Sequence, residues 1–344
     1  MSPSLRQKVG QLFIAGFHGT DSKDPWVDDV ARQIKLGEVG GIILFSYNIQ
    51  NSAQLKELTG FFNQLDDQLL ISVDQEGGRV QRLAPVQGFQ GFPSAETLSH
   101  QPISEVAACY RAMAKEMVSH GINLDFAPCV DLNPEGYKCP VVGDLQRSYS
   151  TNPSEVVSYA GALIDAFHAE NLLAVIKHFP GHGSAQGDSH EGFVDVTDCW
   201  DERELIPFYD LTRQKTVDMV MTAHIFNAHL DPAVPASFSK QTLDLLRRQG
   251  YEGIIISDDL HMGAIQDHYD VIDATLQALN AGCDMVILSN NKAAAAGVST
   301  FVPSPEILPI LIDGVVAAVK RGDIFENRID EAYGRVLALK KRLP

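Results

Sequence analysis

The chain has 344 residues, 45% of them hydrophobic, with a formal net charge of −17 and a pI near 5.0. A surface this acidic repels phosphate backbones and anionic lipid, which excludes nucleic acid and anionic membranes as partners. The apolar content supplies a large core, and a barrel of alternating strands and helices reaches this length as one unit, so residues 1–344 are expected to form a single domain.

From the N-terminus the chain reaches only a short apolar run, Leu12 to Phe17, with no long signal core. No segment approaches the roughly 20 apolar residues of a membrane span. The five cysteines (Cys109, Cys129, Cys139, Cys199 and Cys283) are odd in number and scattered, without a Cys-x-x-Cys. They point to free thiols in a reducing cytoplasm.

Short apolar runs then alternate with longer stretches of helical period. Eight runs read as strands: Gln11–Phe17, Gly41–Phe45, Leu69–Val73, Asn123–Pro128, Leu172–Ile176, Val217–Thr222, Gly253–Ser257 and Asp284–Leu288. Amphipathic stretches between them include Ala53–Leu65, Ser104–His120, Pro153–Glu170, Asp201–Gln214, Lys240–Gln249 and Val271–Ala281. Pro305–Arg321 and Glu326–Arg342 close the chain. Ser104 reads as an N-cap with Glu105 in the first turn, and Pro153-Ser154-Glu155 opens another helix. This alternation predicts an α/β fold, a (β/α)8 TIM-type barrel. An open doubly wound sheet is the alternative, but no Gly-x-Gly-x-x-Gly follows the first strand.

In a barrel, the chemistry sits just past the C-terminal ends of the strands. Charged and hydrogen-bonding side chains collect there. The third strand runs into Asp74-Gln75-Glu76-Gly77-Gly78-Arg79-Val80-Gln81-Arg82, and the fourth into Asp131 and a Pro/Gly-rich loop leading to Arg147. The fifth gives Lys177-His178-Phe179-Pro180-Gly181-His182-Gly183 and then Asp188-Ser189-His190, the sixth His224, the seventh Asp258-Asp259, and the eighth Ser289-Asn290-Asn291. Each has a bland explanation alone: Asp74 or Asp258 as a cap, His224 as a satisfied core histidine. Agreement among six strand ends argues for one functional rim, with His224 among the substrate-facing candidates.

The glycine-punctuated loop after the fifth strand reads as pliable, and its residues admit three roles. They could be solvated, ligate a metal through His178, His182, Asp188 and His190, or do acid/base work with Asp188 tuning His190. A metal-dependent barrel hydrolase needs two or three histidines around an open position, yet the first strand ends with His18 alone. No metal and no cofactor are therefore expected. A sugar-cleaving site needs a nucleophile, a proton donor and charged groups gripping hydroxyls. Asp258, His190 paired to Asp188, and Asp74, Arg82, Arg147 and Lys177 supply these.

Lys177-His178-Phe179-Pro180-Gly181-His182-Gly183, four residues, then Asp188-Ser189-His190 resembles the signature of the β-N-acetylglucosaminidases of glycoside hydrolase family 3. The segments Asp74 to Arg82 and Ser257-Asp258-Asp259-Leu260 with Met262 are similar to two further motifs of that family, and the likeness runs from about Leu12 to the last helix. The resemblance implies Asp258 as nucleophile, His190 as general acid/base and Asp188 as its dyad partner. It implies Asp74, Arg82, Arg147 and the Lys177-His178 pair as sugar-binding residues. One departure stands out: where the common pattern has an arginine directly after Gly-Asp, Leu145 and Gln146 precede Arg147 here. For a single-domain cytoplasmic member, the resemblance implies removal of terminal non-reducing β-linked N-acetylglucosamine from muropeptides in peptidoglycan recycling, by a monomer acting on a carbohydrate substrate. The alternative of another class is a catalytically silent carbohydrate-binding barrel.

Overall fold

The computed structural model describes residues 2–134, 136–189, 192–295, 298 and 301–344. Eight parallel strands close into a barrel: β1 (Phe13–Gly16), β2 (Gly41–Ile43), β3 (Leu70–Val73), β4 (Leu124–Asp125), β5 (Leu173–Phe179), β6 (Met219–Thr222), β7 (Ile254–Asp259) and β8 (Met285–Leu288). Each strand pairs with its sequence neighbour, and the ring is closed where Phe13 pairs with Val286 and Ala15 with Leu288. Nearly every strand residue is buried, because the barrel interior lies on one face and the helical ring on the other. Those runs are consequently apolar without alternation.

All eight expected strands are present, and Pro25–Leu36 adds a helix between β1 and β2 beyond those expected. Two boundaries differ from the sequence reading in ways that concern the rim. β5 continues through Lys177 and His178 to Phe179, and β7 runs to Asp259, so both charged pairs sit on strand backbone rather than on loops. The expected cap at Ser104 is not used: that helix spans Ile103–Ser119 with Pro102 at its N-cap, which leaves Ser104 inside the first turn. At Pro153–His168 the cap is Asn152, whose side chain accepts from the Ser154 amide.

The barrel's N-terminal end is tied by a buried carboxylate. Asp284, just before β8, accepts from Arg247 (2.5 Å), Arg328 (2.9 Å) and Arg335 (2.9 Å), and from the Ile255 amide (3.0 Å). Arg328 and Arg335 lie on the last helix, Glu326–Lys340, so this one acid fastens that helix to β7 and β8. Removing it strands three guanidinium groups in a poorly solvated place. Asp284→Ala is expected to lower unfolding free energy by about 3–5 kcal/mol in chemical denaturation.

Candidate active site

At the C-terminal end of the strands a cavity of about 510 Å³ opens, a size within the usual range for small-molecule sites. Ile43, Met221 and Ile287 line it from the strands, and Phe126 from just past β4. Asp74, Arg82, Arg147, Lys177, His178 and Asp258 surround it above, joined by Tyr47, Met262 and Asn291.

The position of Arg82 is set by a two-stranded hairpin, Gln75–Gly77 with Val80–Gln81. Its turn places Gly77 (φ 96°) and Gly78 (φ 60°) in the left-handed region that glycine tolerates. The buried Gln75 side chain accepts from the Arg82 and Leu83 amides (2.9 and 3.0 Å), which folds the chain back so that Arg82 Nη2 meets Asp74 Oδ2 at 3.2 Å. Lys177, 2% exposed, places its ammonium 2.9 Å from Asp74 Oδ1 and 2.6 Å from Glu76 Oε1. Arg147 then grips Glu76 through both oxygens, with Nε to Oε2 at 2.9 Å and Nη2 to Oε1 at 2.7 Å. Burial alone would raise both carboxyls, but Lys177 and Arg82 outweigh it at Asp74, and Arg147 and Lys177 at Glu76, so both are held below the ordinary carboxylate range. Burial likewise opposes the Lys177 charge, and the two acids reverse that and raise it.

The residues before Arg147 do not divert it. Gln146 adopts φ 59° in a turn closed by Arg147 N to Val142 O (3.0 Å), and Arg147 reaches the rim with Nη1 on the Val141 carbonyl (2.8 Å). Arg147 Nη2 also lies 3.2 Å from His178 Nε2. A guanidinium can only donate, so Nε2 accepts and the ring proton sits on Nδ1, which donates to Asp131 Oδ2 at 2.6 Å. Both ring nitrogens of His178, and most donors of Arg147, are therefore engaged within the protein. The groups with capacity left for a polar ligand are the Asp74 carboxylate and Arg82, whose Nε has no partner among the described residues.

Cys129, Asp131 and His178 bring ligand-type atoms within 4.8 Å of one another. Their protons are already shared among themselves: Asp131 accepts from Cys129 Sγ (3.2 Å), from His178, and from the His182 amide (2.8 Å). Burial pushes the Cys129 thiol well up, away from the thiolate that a metal needs. The trio fits a hydrogen-bonding hub better than a cation site. His182 is buried as well, and burial lowers its pKa to about 4, so it is a neutral spacer.

On β7 the two adjacent aspartates differ sharply. Asp259 is buried, its Oδ1 accepts from the Ser289 amide (2.8 Å) and the His261 amide (3.1 Å), and burial raises its pKa to about 6. Asp258 is half-buried and faces the cavity, with Oδ1 accepting from the Asp259 amide at 2.8 Å. His224, placed by sequence among the substrate-facing residues, does not line this cavity. It is 2% exposed, its Nε2 donates to the Asp259 carbonyl (3.1 Å) and Ser237 Oγ lies 2.7 Å from its Nδ1. Burial lowers its pKa, so it steadies the β7 backbone as a neutral ring. Asp188 is half-buried on the loop after β5, and His190 lies outside the described residues. In the sequence Glu76 stands only as one acid of the segment after the third strand, and the structure makes it the link between Lys177 and Arg147. Asp131 was visible only as a strand-end acid, and no local signal marked Tyr47.

Residues 4–339 match the family described as glycosyl hydrolase family 3 N terminal domain. A β-hexosaminidase of Pseudomonas aeruginosa is 38% identical over 278 residues, covering 78% of this chain and 81% of that protein. One from Tolumonas auensis is 39% identical over the same length, covering 78% and 80%. Among solved structures, a family 3 β-N-acetylglucosaminidase from Paenibacillus sp. superposes with a TM-score of 0.86 at 34% identity, over 99% of this chain and 63% of that longer one. A family 3 member from Mycobacterium smegmatis gives 0.83 at 32% identity over 98% and 97%.

Two measurements probe this geometry. Glu76→Gln removes the shared acid between Lys177 and Arg147 and is expected to cost about 3–5 kcal/mol of stability. Glu76 has its pKa depressed by folding, so its contribution is full above the ordinary glutamate value of 4.5 and fades as pH falls toward the folded value. The stability gap between parent and variant should accordingly be flat from neutral pH down to about 5 and narrow below that; a gap that widens in acid contradicts the network. Activity is expected to survive prolonged chelation and dialysis, and loss with rescue by zinc would make Cys129, Asp131 and His178 a metal site after all.

Proposed function

Because the chain belongs to glycoside hydrolase family 3, we propose that it is a retaining exo-β-N-acetylhexosaminidase whose nucleophile is Asp258 and whose acid/base is His190, assisted by Asp188. The observation that carries this reading is the division between the two aspartates of β7. Both border the cavity, but Asp258 is half-buried on strand backbone, whereas Asp259 is buried, its Oδ1 is taken by the Ser289 and His261 amides, and burial raises its carboxyl to about 6.

In the first step a terminal sugar enters the cavity, and Asp74 and Arg82 take its hydroxyls through charge-assisted bonds. Asp258 attacks the anomeric carbon as the glycosidic bond breaks, and the imidazolium of His190 protonates the departing oxygen. The product is a glycosyl ester on Asp258 and a neutral His190. In the second step His190 takes a proton from water, the hydroxide oxygen attacks the anomeric carbon, and Asp258 leaves as the carboxylate. Two displacements return the original configuration. Asp188, two residues from His190, favours the protonated ring before the first step and orients it for the second.

The relatives named β-hexosaminidase support a hexosamine as the unit removed, and the structural neighbour named β-N-acetylglucosaminidase supports N-acetylglucosamine in particular. A pocket lined by strand side chains within the barrel suits a terminal unit better than the middle of a polymer. Bacterial muropeptides carry such a unit, and the five free cysteines fit a reducing cytoplasm where recycling of these fragments would occur.

A slow 2-fluoro glycosyl substrate should leave its label on the peptide containing Asp258, read by mass spectrometry. Asp258→Asn should lose several orders of magnitude in rate, whereas Asp259→Asn should remain labelled at Asp258. Label on Asp259 would overturn the assignment.

A further inference from the structure

The loop that follows β5 begins with a segment gripped by two buried carboxylates. Asp131 accepts from the amides of His178 and His182. Glu204, 1% exposed, takes the next two residues: the Gly183 amide donates to Oε2 at 2.9 Å, and the Ser184 hydroxyl donates to Oε1. No cation pairs with Glu204 among the described residues. Burial, only partly offset by the Ser184 hydrogen bond, pushes its carboxyl up to about 7. A carboxyl is a poor choice for filling this space and a good one for holding two donors.

The glycines of the segment serve the same contact. A Cβ on Gly181 (φ 119°) would stand 2.4 Å from Glu204 Cβ, and one on Gly183 would stand 1.9 Å from the Leu132 carbonyl oxygen. Expected from sequence as a source of slack, these two glycines instead permit close approach between the loop base and its clamps. Glu204 itself is on a firm support, the turn Glu202–Leu205 ahead of the helix Ile206–Arg213, whose Phe208 packs edge-on against Phe179 of β5 at 5.3 Å. At the other end of the loop, the Ser189 carbonyl accepts from Ala264 (3.1 Å) and its hydroxyl lies 3.2 Å from His182 Nε2. Between these anchors run only Ala185, Gln186, Gly187 and Asp188.

We propose that Glu204 is a positioning residue for the reaction: by fixing the loop at Gly183 and Ser184 it sets where Asp188 and His190 meet the leaving group. This rests on reading His190 as the acid/base, and it adds a residue that touches neither sugar nor reacting atoms. Loss of the clamp lets the proton donor wander while Asp74 and Arg82, braced by Lys177 and the β3 hairpin, still bind the sugar and Asp258 on β7 still attacks.

The test is a series of aryl N-acetyl-β-glucosaminides spanning good and poor leaving groups, run on the parent, Glu204→Ala, Glu204→Gln, Ser184→Ala and His190→Ala. An activated aryl group needs little protonation, so Glu204→Ala should lose about tenfold to a hundredfold in kcat on the poorest leaving group and less than about threefold on the best, with KM unchanged. Glu204→Gln keeps one acceptor oxygen and should recover part of that loss, and Ser184→Ala should show the same selectivity at smaller size. If Glu204→Ala does not fold, the Gln and Ser184 variants carry the comparison alone. Equal losses on good and poor leaving groups in the Glu204 and Ser184 variants, while His190→Ala remains selective, would overturn the proposal and leave the acid/base reading standing. An unselective His190→Ala would bring down both.

Discussion

The rim of this barrel is organised around the ammonium of Lys177, which sits between two carboxylates in a place with almost no water. Asp74 and Glu76 each carry a second cation, Arg82 and Arg147, so the group forms a chain Arg82–Asp74–Lys177–Glu76–Arg147. Every member is costly to bury alone, and none can be removed without leaving a partner uncompensated. The chain also crosses the barrel top, linking the β3 hairpin, the loop after β4 and the end of β5. Geometry at three strand ends is thereby coupled, and His178 inherits its tautomer from the Arg147 end of the same chain.

The eight strands were legible because parallel barrel strands are buried on both faces and read as short unbroken apolar runs, as Leu173–Ile176 and Met285–Leu288 do. Convergence of Asp74, Lys177, His178 and Asp258 on one cavity followed from the same alternation, since charged residues past a strand end share a rim whatever their sequence separation. What was not legible depends on partners far along the chain. Nothing local distinguishes Glu76 as a hub from Glu76 as a proton donor until Arg147, 71 residues on, is seen to take both of its oxygens. His224 read as a substrate-facing residue because it follows β6, yet its nitrogens are spent on Ser237 and the Asp259 carbonyl. One helix start failed for a simpler reason: Ser104 has the right chemistry, but the turn begins one residue earlier behind Pro102, whereas Pro153, Lys240, Val271 and Glu326 open their helices as read.

The loop after β5 shows how a sequence feature can be right in place and different in cause. Its glycines read from sequence as the mark of a pliable segment, yet at Gly181 and Gly183 they permit tight packing against Glu204 and Leu132. A loop clamped at its base and tied near Ser189 can present a side chain with little positional spread, and acid/base catalysis from outside the barrel wall requires that. On the proposed mechanism the barrel strands hold the sugar and the nucleophile, while the loop brings the proton, and these separate supports would let each half of the reaction fail independently.

The central claim is double displacement on Asp258, and the stereochemistry of the first-formed product tests it most directly. Proton NMR of an aryl N-acetyl-β-glucosaminide during early turnover, before mutarotation, should show the β-anomer of N-acetylglucosamine appearing first. First appearance of the α-anomer would mean a single displacement by water, with no ester on Asp258, and would contradict the account.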